Sequence, residues 1–323
     1  MRVKMTNFLI TGCAGFIGSH AVDIFLANGH TVVGVDKLTY AGSMDNMHHH
    51  WACVRCRQST DNENFKFFHS DICNTDSIRS ICQKHKIDCI VNFAAETHVD
   101  NSIRGTDAFI LSNIHGVKSL LEICKDENIQ MCHISTDEVY GSIKTGSFHE
   151  DSVLSPKNYY SATKAGAEHV VTAYNNTFDI AYLIIRMSNN YGPRQHDEKF
   201  IPTILKSIKS KKKIPLYGNG KNVRDWIYVK DSVRVIYNLV TSSSILSNET
   251  YNISFNDERD NIELVSTLLE HFDLDFSEAV EFVEDRLGHD FRYSISNDKM
   301  MPFVDFEPTP FKDGILETIQ YFV

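Results

Sequence analysis

The chain has 323 residues, 42% hydrophobic and 23% charged, with a formal net charge of -10. That balance suits a soluble globular protein of one large domain or two lobes, and its acidity gives no support to a polyanion-binding surface. No apolar run approaches the roughly 18 residues of a membrane helix. The opening MRVKMTNFLITG has too short an apolar stretch for a secretion signal, so a cytoplasmic protein is expected. All eight cysteines lie between Cys13 and Cys132, a pattern that favours free thiols over a disulfide framework in such a chain.

In chain order, short β-branched runs alternate with longer helical patterns: NFLIT (7–11), TVVGVD (31–36), FKFFHSD (65–71), CIVNFAA (89–95), QMCHIST (130–136) and AYLIIRM (181–187). Continuous apolar strands between amphipathic helices predict an α/β fold, a Rossmann-type doubly wound parallel sheet covered on both faces. All seven prolines lie at or beyond Pro156, and from about residue 188 the rhythm breaks, so a smaller C-terminal substrate-binding lobe over the carboxyl edge of the sheet is expected.

After the first strand, TGCAGFIGSH sets Gly12, Gly15 and Gly18 at the opening of a helix. Glycines there allow a tight turn and let helix N-terminal N–H groups approach a pyrophosphate. A glycine pattern alone also serves tight packing, but the strand-to-helix context points to a dinucleotide. Asp36 ends the second strand, 18 residues after Gly18, where a carboxylate accepts from an adenosine ribose and repels a 2'-phosphate, favouring NAD over NADP. A strand-ending Asp in a turn is the plainer alternative, and the adjacent Lys37 weakens the exclusion of NADP a little.

The next stretch, MHHHWACVRCRQSTDNEN (47–64), carries three adjacent histidines and Cys53-x-x-Cys56. Thiolate and imidazole suit zinc, yet a second C-x-x-C is absent and adjacent histidines rarely share one ion, so a flexible surface loop without metal is expected.

The fifth run ends in STDEVYG, with Asp137 and Glu138 side by side. Side chains alternate along a strand, so both carboxylates can line one pocket only where the chain leaves extended geometry at or just after Thr136. Further on, YYSATKAGAEHVV reads as a helix with Tyr160 and Lys164 one turn apart, while Tyr159 is less well aligned. A lysine ammonium near a phenol, together with a positive nicotinamide ring, favours phenolate, which would lower the tyrosine pKa toward neutrality. Bare Y-x-x-x-K is a common accident; beside the glycine loop and Thr136 it gains meaning. The basic run KSIKSKKKIP (Lys206 to Pro215) reads as a solvated helix end.

Together the glycine loop, Thr136, Tyr160 and Lys164 resemble the extended short-chain dehydrogenase/reductase family. T-D-E-V-Y-G resembles its nucleoside-diphosphate-glucose 4,6-dehydratases of the dTDP-glucose type. The likeness continues in AAETHVDNSI (94–103), SNNYGPRQ (188–195), KFIPTIL (199–205), IPLYGNGKNVRDWIYVKD (214–231), YNIS (251–254) and DRLGHDFRY (285–293). This resemblance implies a hydro-lyase with tightly held NAD. Its NAD-binding domain would span 1–188, with about 222–245 returning to it, and 189–323 would mainly form the nucleotide-sugar lobe. A homodimer through helices 104–125 and 158–178 is also implied, with neither nucleic acid nor membrane as partner.

Carried over position by position, the likeness implies Thr136, Asp137, Glu138, Tyr160 and Lys164 as catalytic residues. For the cofactor it implies Gly12, Gly15, Phe16, Ile17, Gly18, Asp36, Lys37, Leu38, Thr39, Asp71, Ile72, Phe93, Ala94, Ala95, Thr97, Ser112, Tyr160, Lys164 and Asn190. For the substrate it implies Thr97, Thr136, Asn189, Lys199, Phe200, Pro215, Leu216, Tyr217, Arg224, Asn261, Asp285, Arg286, Gly288 and His289. The two arginines suit a diphosphate; a surface ion pair is their plainer reading.

Four departures stand out: Cys13 in place of a second glycine, Leu287 in place of proline, SISND (294–298), and the 47–64 insertion. A 4-epimerase or decarboxylase on the same fold would keep Tyr160 and Lys164 without needing the carboxylate pair. A non-catalytic NAD sensor would keep the glycine loop and could lose Thr136, Tyr160 and Lys164. The nucleotide base, dTDP or UDP, is left open, because it turns on one methyl group worth roughly 1 kcal/mol.

Overall fold

The computed structural model describes residues 6–50, 63–242, 248–285 and 289–323. The first half alternates strand and helix: β1 (Asn7–Thr11), α1 (Phe16–Ala27), β2 (Thr31–Asp36), β3 (Phe65–His69), α2 (Thr75–His85), β4 (Cys89–Asn92) and α3 (Val99–Arg104). A helix then runs from α4 (Asp107–Phe109) through a π turn at Ile110–His115 into α5 (Gly116–Glu127), followed by β5 (Gln130–Thr136), α6 (Tyr159–Phe178) and β6 (Tyr182–Met187).

Shorter elements follow: β7 (Asn189–Tyr191), α7 (Phe200–Lys209), β8 (Ile214–Tyr217), β9 (Val223–Tyr228), α8 (Val229–Thr241), β10 (Glu249–Ile253), β11 (Glu258–Asp260), α9 (Asn261–His271), α10 (Phe276–Ala279), β12 (Val280–Val283) and α11 (Phe311–Phe322).

Seven strands make one parallel sheet in the order β3-β2-β1-β4-β5-β6-β10. Their alternation explains why both faces are covered. Phe8 and Ile10 of β1 join Val22 and Phe25 of α1 and Val233 and Ile236 of α8 in one core. Leu9, between them in sequence, joins Ile78 of α2, Leu120 of α5 and Val171 of α6 in the other. Full burial of each such side chain contributes about 1.5–3 kcal/mol. The strand order reverses between β1 and β4, so the carboxyl ends of these two strands open the crevice in which such sheets bind ligands.

Beyond β6 the chain builds a three-stranded sheet, β11-β9-β7, and a parallel pair, β12-β8. The run from Lys206 to Pro215 covers the end of α7, an exposed turn and the start of β8, with Lys206 paired to Asp197. Six cysteines among the described residues are free thiols. No helix among the described residues is long and apolar enough to cross a membrane.

The start of the 47–64 insertion departs from the surface-loop reading. A short 3-10 turn at Met44–His50 drops the Met47 side chain into the core beside α1, where it is fully buried. Cys53 and Cys56 lie outside the described residues.

Candidate active site

The glycine loop closes over the end of β1. Gly12 has φ +68°, and a Cβ there would lie 2.7 Å from the Ala94 nitrogen at the end of β4. A Cβ on Gly18 would lie 2.2 Å from the Gly12 carbonyl oxygen, so the first turn of α1 can sit on the loop only as glycine. Asp36 binds this loop to its own strand end: one carboxylate oxygen accepts from Ala14 N–H at 2.9 Å and the other from Leu38 N–H at 2.7 Å. Burial raises the Asp36 pKa and those amides oppose the rise. Lys37 is held by Asp71 at 2.7 Å.

The acid pair is made by a change of backbone at one residue. Thr136 is extended (φ -143°, ψ 153°), and its side-chain oxygen accepts the backbone N–H of Glu138 at 3.3 Å, capping a 3-10 turn over Asp137–Tyr140. Gly141, at φ +80°, ends the turn by donating its N–H to the Glu138 carbonyl. The chain therefore leaves extended geometry just after Thr136, and both carboxylates line the same cleft.

Their surroundings differ. Asp137 is 3% exposed; it accepts the Thr136 hydroxyl at 3.2 Å on one oxygen, and the other has no hydrogen-bond partner among the described residues. Burial, and then the neighbouring Glu138 carboxylate, raise its pKa well above the usual carboxylate range, opposed by Arg224. Glu138 accepts from the Asn158 amide at 3.2 Å and the Tyr293 hydroxyl at 3.4 Å.

Helix α6 starts at a capping box in which Asn158 accepts from Ser161 N–H and Ser161 accepts from Asn158 N–H. This sets Tyr160 and Lys164 against the cleft, while Tyr159 is 56% exposed and does not line it. The lysine side chain is anchored on β5. Lys164 Nζ donates to the Ile134 carbonyl at 2.6 Å and lies 3.4 Å from His133 Nε2. Burial, then Glu138, raise the Tyr160 pKa, and a hydrogen bond with Thr136 opposes them. The protein's own groups thus favour the protonated phenol. Burial in turn lowers Lys164 to about 8.

Two polar clamps hold these pieces. Ser135 donates to Glu168, which receives Arg186 Nη2 at 2.7 Å and Nε at 3.0 Å; Arg186 Nη1 reaches the Tyr140 hydroxyl at 2.5 Å. On the other side, Asn113 of the π turn accepts Glu96 N–H at 2.8 Å and donates to the Glu96 carbonyl and to Thr163, tying the loop after β4 to α6.

A cleft of about 310 Å³ gathers the residues read as cofactor-binding, except Leu38, whose positive φ turns the chain after Asp36. Of those read as substrate-binding, Thr97, Thr136, Asn189 and Lys199 line it. The others lie in or beside the lobe elements. Phe200 begins α7, Asn261 begins α9, and Pro215, Leu216 and Tyr217 form β8. His289 contacts Asp285 at 2.6 Å.

Arg224 is buried, donates to the Val223 and Asp290 carbonyls and stacks on Tyr293 at 4.2 Å. Arg286 and Gly288 lie outside the described residues. Glu96, Ser135, Ser188, Gln195 and His196 also line the cleft and were not singled out from sequence. Four of them stand inside quoted motifs, but which of a motif's residues face the cleft depends on the turns of the loops.

The glycine cradle, an acidic side chain ending β2, and a cleft running from them to Tyr160 and the carboxylates fit a dinucleotide with a second ligand beside it.

The model of the family described as GDP-mannose 4,6 dehydratase matches residues 9–318. The low-salt glycan biosynthesis protein Agl12 of Haloferax volcanii is 42% identical over 98% of both chains. A dTDP-glucose 4,6-dehydratase of Escherichia coli is 37% identical over 98% of this chain and 93% of its own. Among solved structures, DesIV, a dTDP-glucose 4,6-dehydratase from Streptomyces venezuelae with NAD and TYD bound, superimposes with a TM-score of 0.91 at 37% identity, covering 98% of this chain and 97% of that one. UDP-glucuronic acid 4-epimerase from Bacillus cereus, in complex with UDP-glucuronic acid and NAD, gives 0.89 at 27% identity over 98% and 99%.

Proposed function

The chain belongs to the GDP-mannose 4,6 dehydratase family, and from that premise we propose that it is an NAD-dependent nucleotide-sugar 4,6-dehydratase. It converts a nucleoside-diphosphate glucose to the 4-keto-6-deoxy sugar nucleotide and water. The observation that carries this reading is the capped turn after β5, which brings two carboxylates of unlike environment to a cleft that also holds Tyr160. A 4-epimerase on this fold has no use for such a pair.

When bound, NAD would supply the hydride chemistry between C4 and C6 of the sugar. Gly12, Gly15 and Gly18 with the N-terminus of α1 would hold its pyrophosphate, and Asp36 its adenosine ribose. The positive charge that NAD would bring to the cleft favours the Tyr160 phenolate, which takes the proton of the 4-hydroxyl, with Thr136 orienting that hydroxyl. The 4-ketone acidifies the C5 proton, which Glu138 removes. Asp137, kept protonated by burial beside a like charge, gives its proton to the 6-hydroxyl as it leaves as water. Glu138 returns its proton to C5, and by way of solvent Tyr160 gives up the proton it gained while Asp137 recovers the one it lost, so the protein's groups are reset.

The favoured substrate is dTDP-glucose, with UDP-glucose second, and the product would feed deoxysugars such as rhamnose. The NAD-binding domain takes in residues 1–188 and about 222–245, with β10 completing its sheet, and the rest of 189–323 mainly forms the substrate lobe. We place the protein in the cytoplasm, in keeping with its free thiols, as a homodimer through the α4–α5 helix and α6.

The test is incubation with dTDP-, UDP-, GDP- and CDP-glucose, reading the absorbance of the keto-sugar in alkali. A keto-sugar from dTDP-glucose at the highest kcat/KM is expected. Interconversion of C4 epimers without loss of water would replace this reading with the epimerase.

A further inference from the structure

Asn158 makes two side-chain bonds from one carboxamide, and they belong to different parts of the site. Its Oδ1 accepts the Ser161 N–H at 2.8 Å, closing the capping box of α6, and its Nδ2 donates to Glu138 Oε2 at 3.2 Å. A backbone N–H can only donate, so the oxygen must face Ser161 and the NH2 must face Glu138. The helix therefore fixes which way the amide points.

The Tyr293 hydroxyl lies 3.4 Å from the same Glu138 oxygen, whereas Oε1 has no hydrogen-bond partner among the described residues. The two oxygens thus divide the work: Oε2 is held, and Oε1 keeps its lone pairs for a proton. Tyr293 is the weaker holder, because its one hydroxyl hydrogen can also go to Asp290 Oδ2, at the shorter distance of 2.8 Å. Asn158 also stands two residues before Tyr160, so one side chain joins the carboxylate to the first turn of the helix that carries the phenol.

Resting on the dehydratase reading, we propose that Asn158 is a positioning residue acting through Glu138: it holds Oε2, so that Oε1 is the atom that takes the C5 proton. The C5–H bond breaks and an Oε1–H bond forms. The electron pair left at C5 enters the C5–C6 bond as the C6–O bond breaks, with Asp137 protonating the departing hydroxyl. Oε2 then has carbonyl character and still accepts from Asn158, so the hold lasts until the proton goes back. The other titratable or charged groups around Glu138 are Asp137 on its own turn, Tyr160 of α6, and Tyr293 beyond β12, with Asp290 bonded to that hydroxyl and Arg224 of β9 on that ring.

The experiment mixes NAD-bound protein with dTDP-glucose in single turnover, reading cofactor reduction, keto-sugar formation and solvent deuterium entering at C5. N158S and N158D both keep a good N-cap, but a capping serine is too short to reach Glu138 and an aspartate offers it no donor. In N158S the first oxidation should stay within about threefold of wild type, while elimination slows by about tenfold. In N158D a second carboxylate faces Glu138, and the acid limb of the elimination rate should move up by about one pH unit. A residue that only caps α6 would move neither. Elimination within about twofold of wild type in both variants, an unmoved limb in N158D, or equal slowing of the two steps overturns the proposal. Melting temperatures test the contact apart from chemistry. N158D should melt about 3 °C below wild type at pH 8, and adding E138Q should recover that loss, because the amide it introduces donates to the new carboxylate. If N158D melts like wild type and E138Q adds nothing, the contact is absent in solution and the proposal falls. Melting needs no turnover, so a protein inactive on every sugar nucleotide would remove the dehydratase reading while the contact is still measured.

Discussion

Thr136 accepts the backbone N–H of Glu138 on its own side-chain oxygen at 3.3 Å, and that bond turns the end of β5 from extended to helical backbone. Two adjacent carboxylates that a strand would send to opposite faces thereby reach one cleft. The same hydroxyl donates to Asp137 at 3.2 Å, so Thr136 serves both members of the pair.

T136A removes the cap and the donor together. An N-cap of this kind contributes about 1 kcal/mol to stability, and loss of an orienting donor at a reacting hydroxyl lowers kcat by about 10²-fold. T136S keeps both bonds and should stay within about fivefold of wild type, since its hydroxyl still caps and donates. Steady-state rates and thermal melts of the two variants check this; equal losses in both would mean that the methyl group, not the hydroxyl, matters.

D137N and E138Q should split the reaction. Both keep the turn, because the Thr136 side-chain oxygen caps it by accepting the backbone N–H of Glu138, so the first oxidation proceeds while elimination slows by about 10²–10⁴-fold. In single-turnover rapid mixing, absorbance of reduced cofactor should rise at near the wild-type rate and persist. Wild-type rates of keto-sugar formation in both variants would remove the carboxylates from the mechanism.

Much of this was legible in the chain. The six runs read as strands are strands because continuous β-branched segments bury well between two helical layers, and the glycine spacing located the turn over β1. The departure from a strand after Thr136 followed from two carboxylates needing one face. What pattern could not show was where long side chains end. Tyr160 and Lys164 are four apart on any helix, but Nζ is drawn to Ile134 and His133, on a strand some thirty residues earlier. Arg224 has the right chemistry for a diphosphate, yet burial commits donors of its guanidinium to the Val223 and Asp290 carbonyls. Asn158 caps α6 and its amide also holds Glu138, a contact that only the fold brings about.

The raised pKa of Asp137 makes a statement about stability. An unfolded Asp titrates near about 3.9, and the folded value lies well above. Between the two, the folded protein keeps a proton that the unfolded chain releases, so stability falls as pH rises through that window and the full loss is present above the folded pKa. D137N removes the ionisation. Its melting temperature should exceed wild type by about 2 °C at pH 8 and match it at pH 4. A variant less stable than wild type at pH 8 would mean that the carboxyl is not held protonated by burial.

The pair Glu168–Arg186 connects packing to chemistry. Both are buried, Glu168 2% and Arg186 6% exposed, and they sit under the turn after β5, held by Ser135 before it and Tyr140 within it. E168Q leaves a buried guanidinium without its counter-charge, a loss of about 3–5 kcal/mol and of about 5–10 °C in melting temperature. Replacing both partners, as E168L with R186M, removes two desolvated charges and should recover most of that stability. The double variant still lacks the bonds to Ser135 and Tyr140, so its kcat should stay low by about tenfold or more while the fold is restored. If kcat returns together with the melting temperature, the network serves stability alone, and the turn that carries Asp137 and Glu138 is held well enough by Thr136 and Gly141.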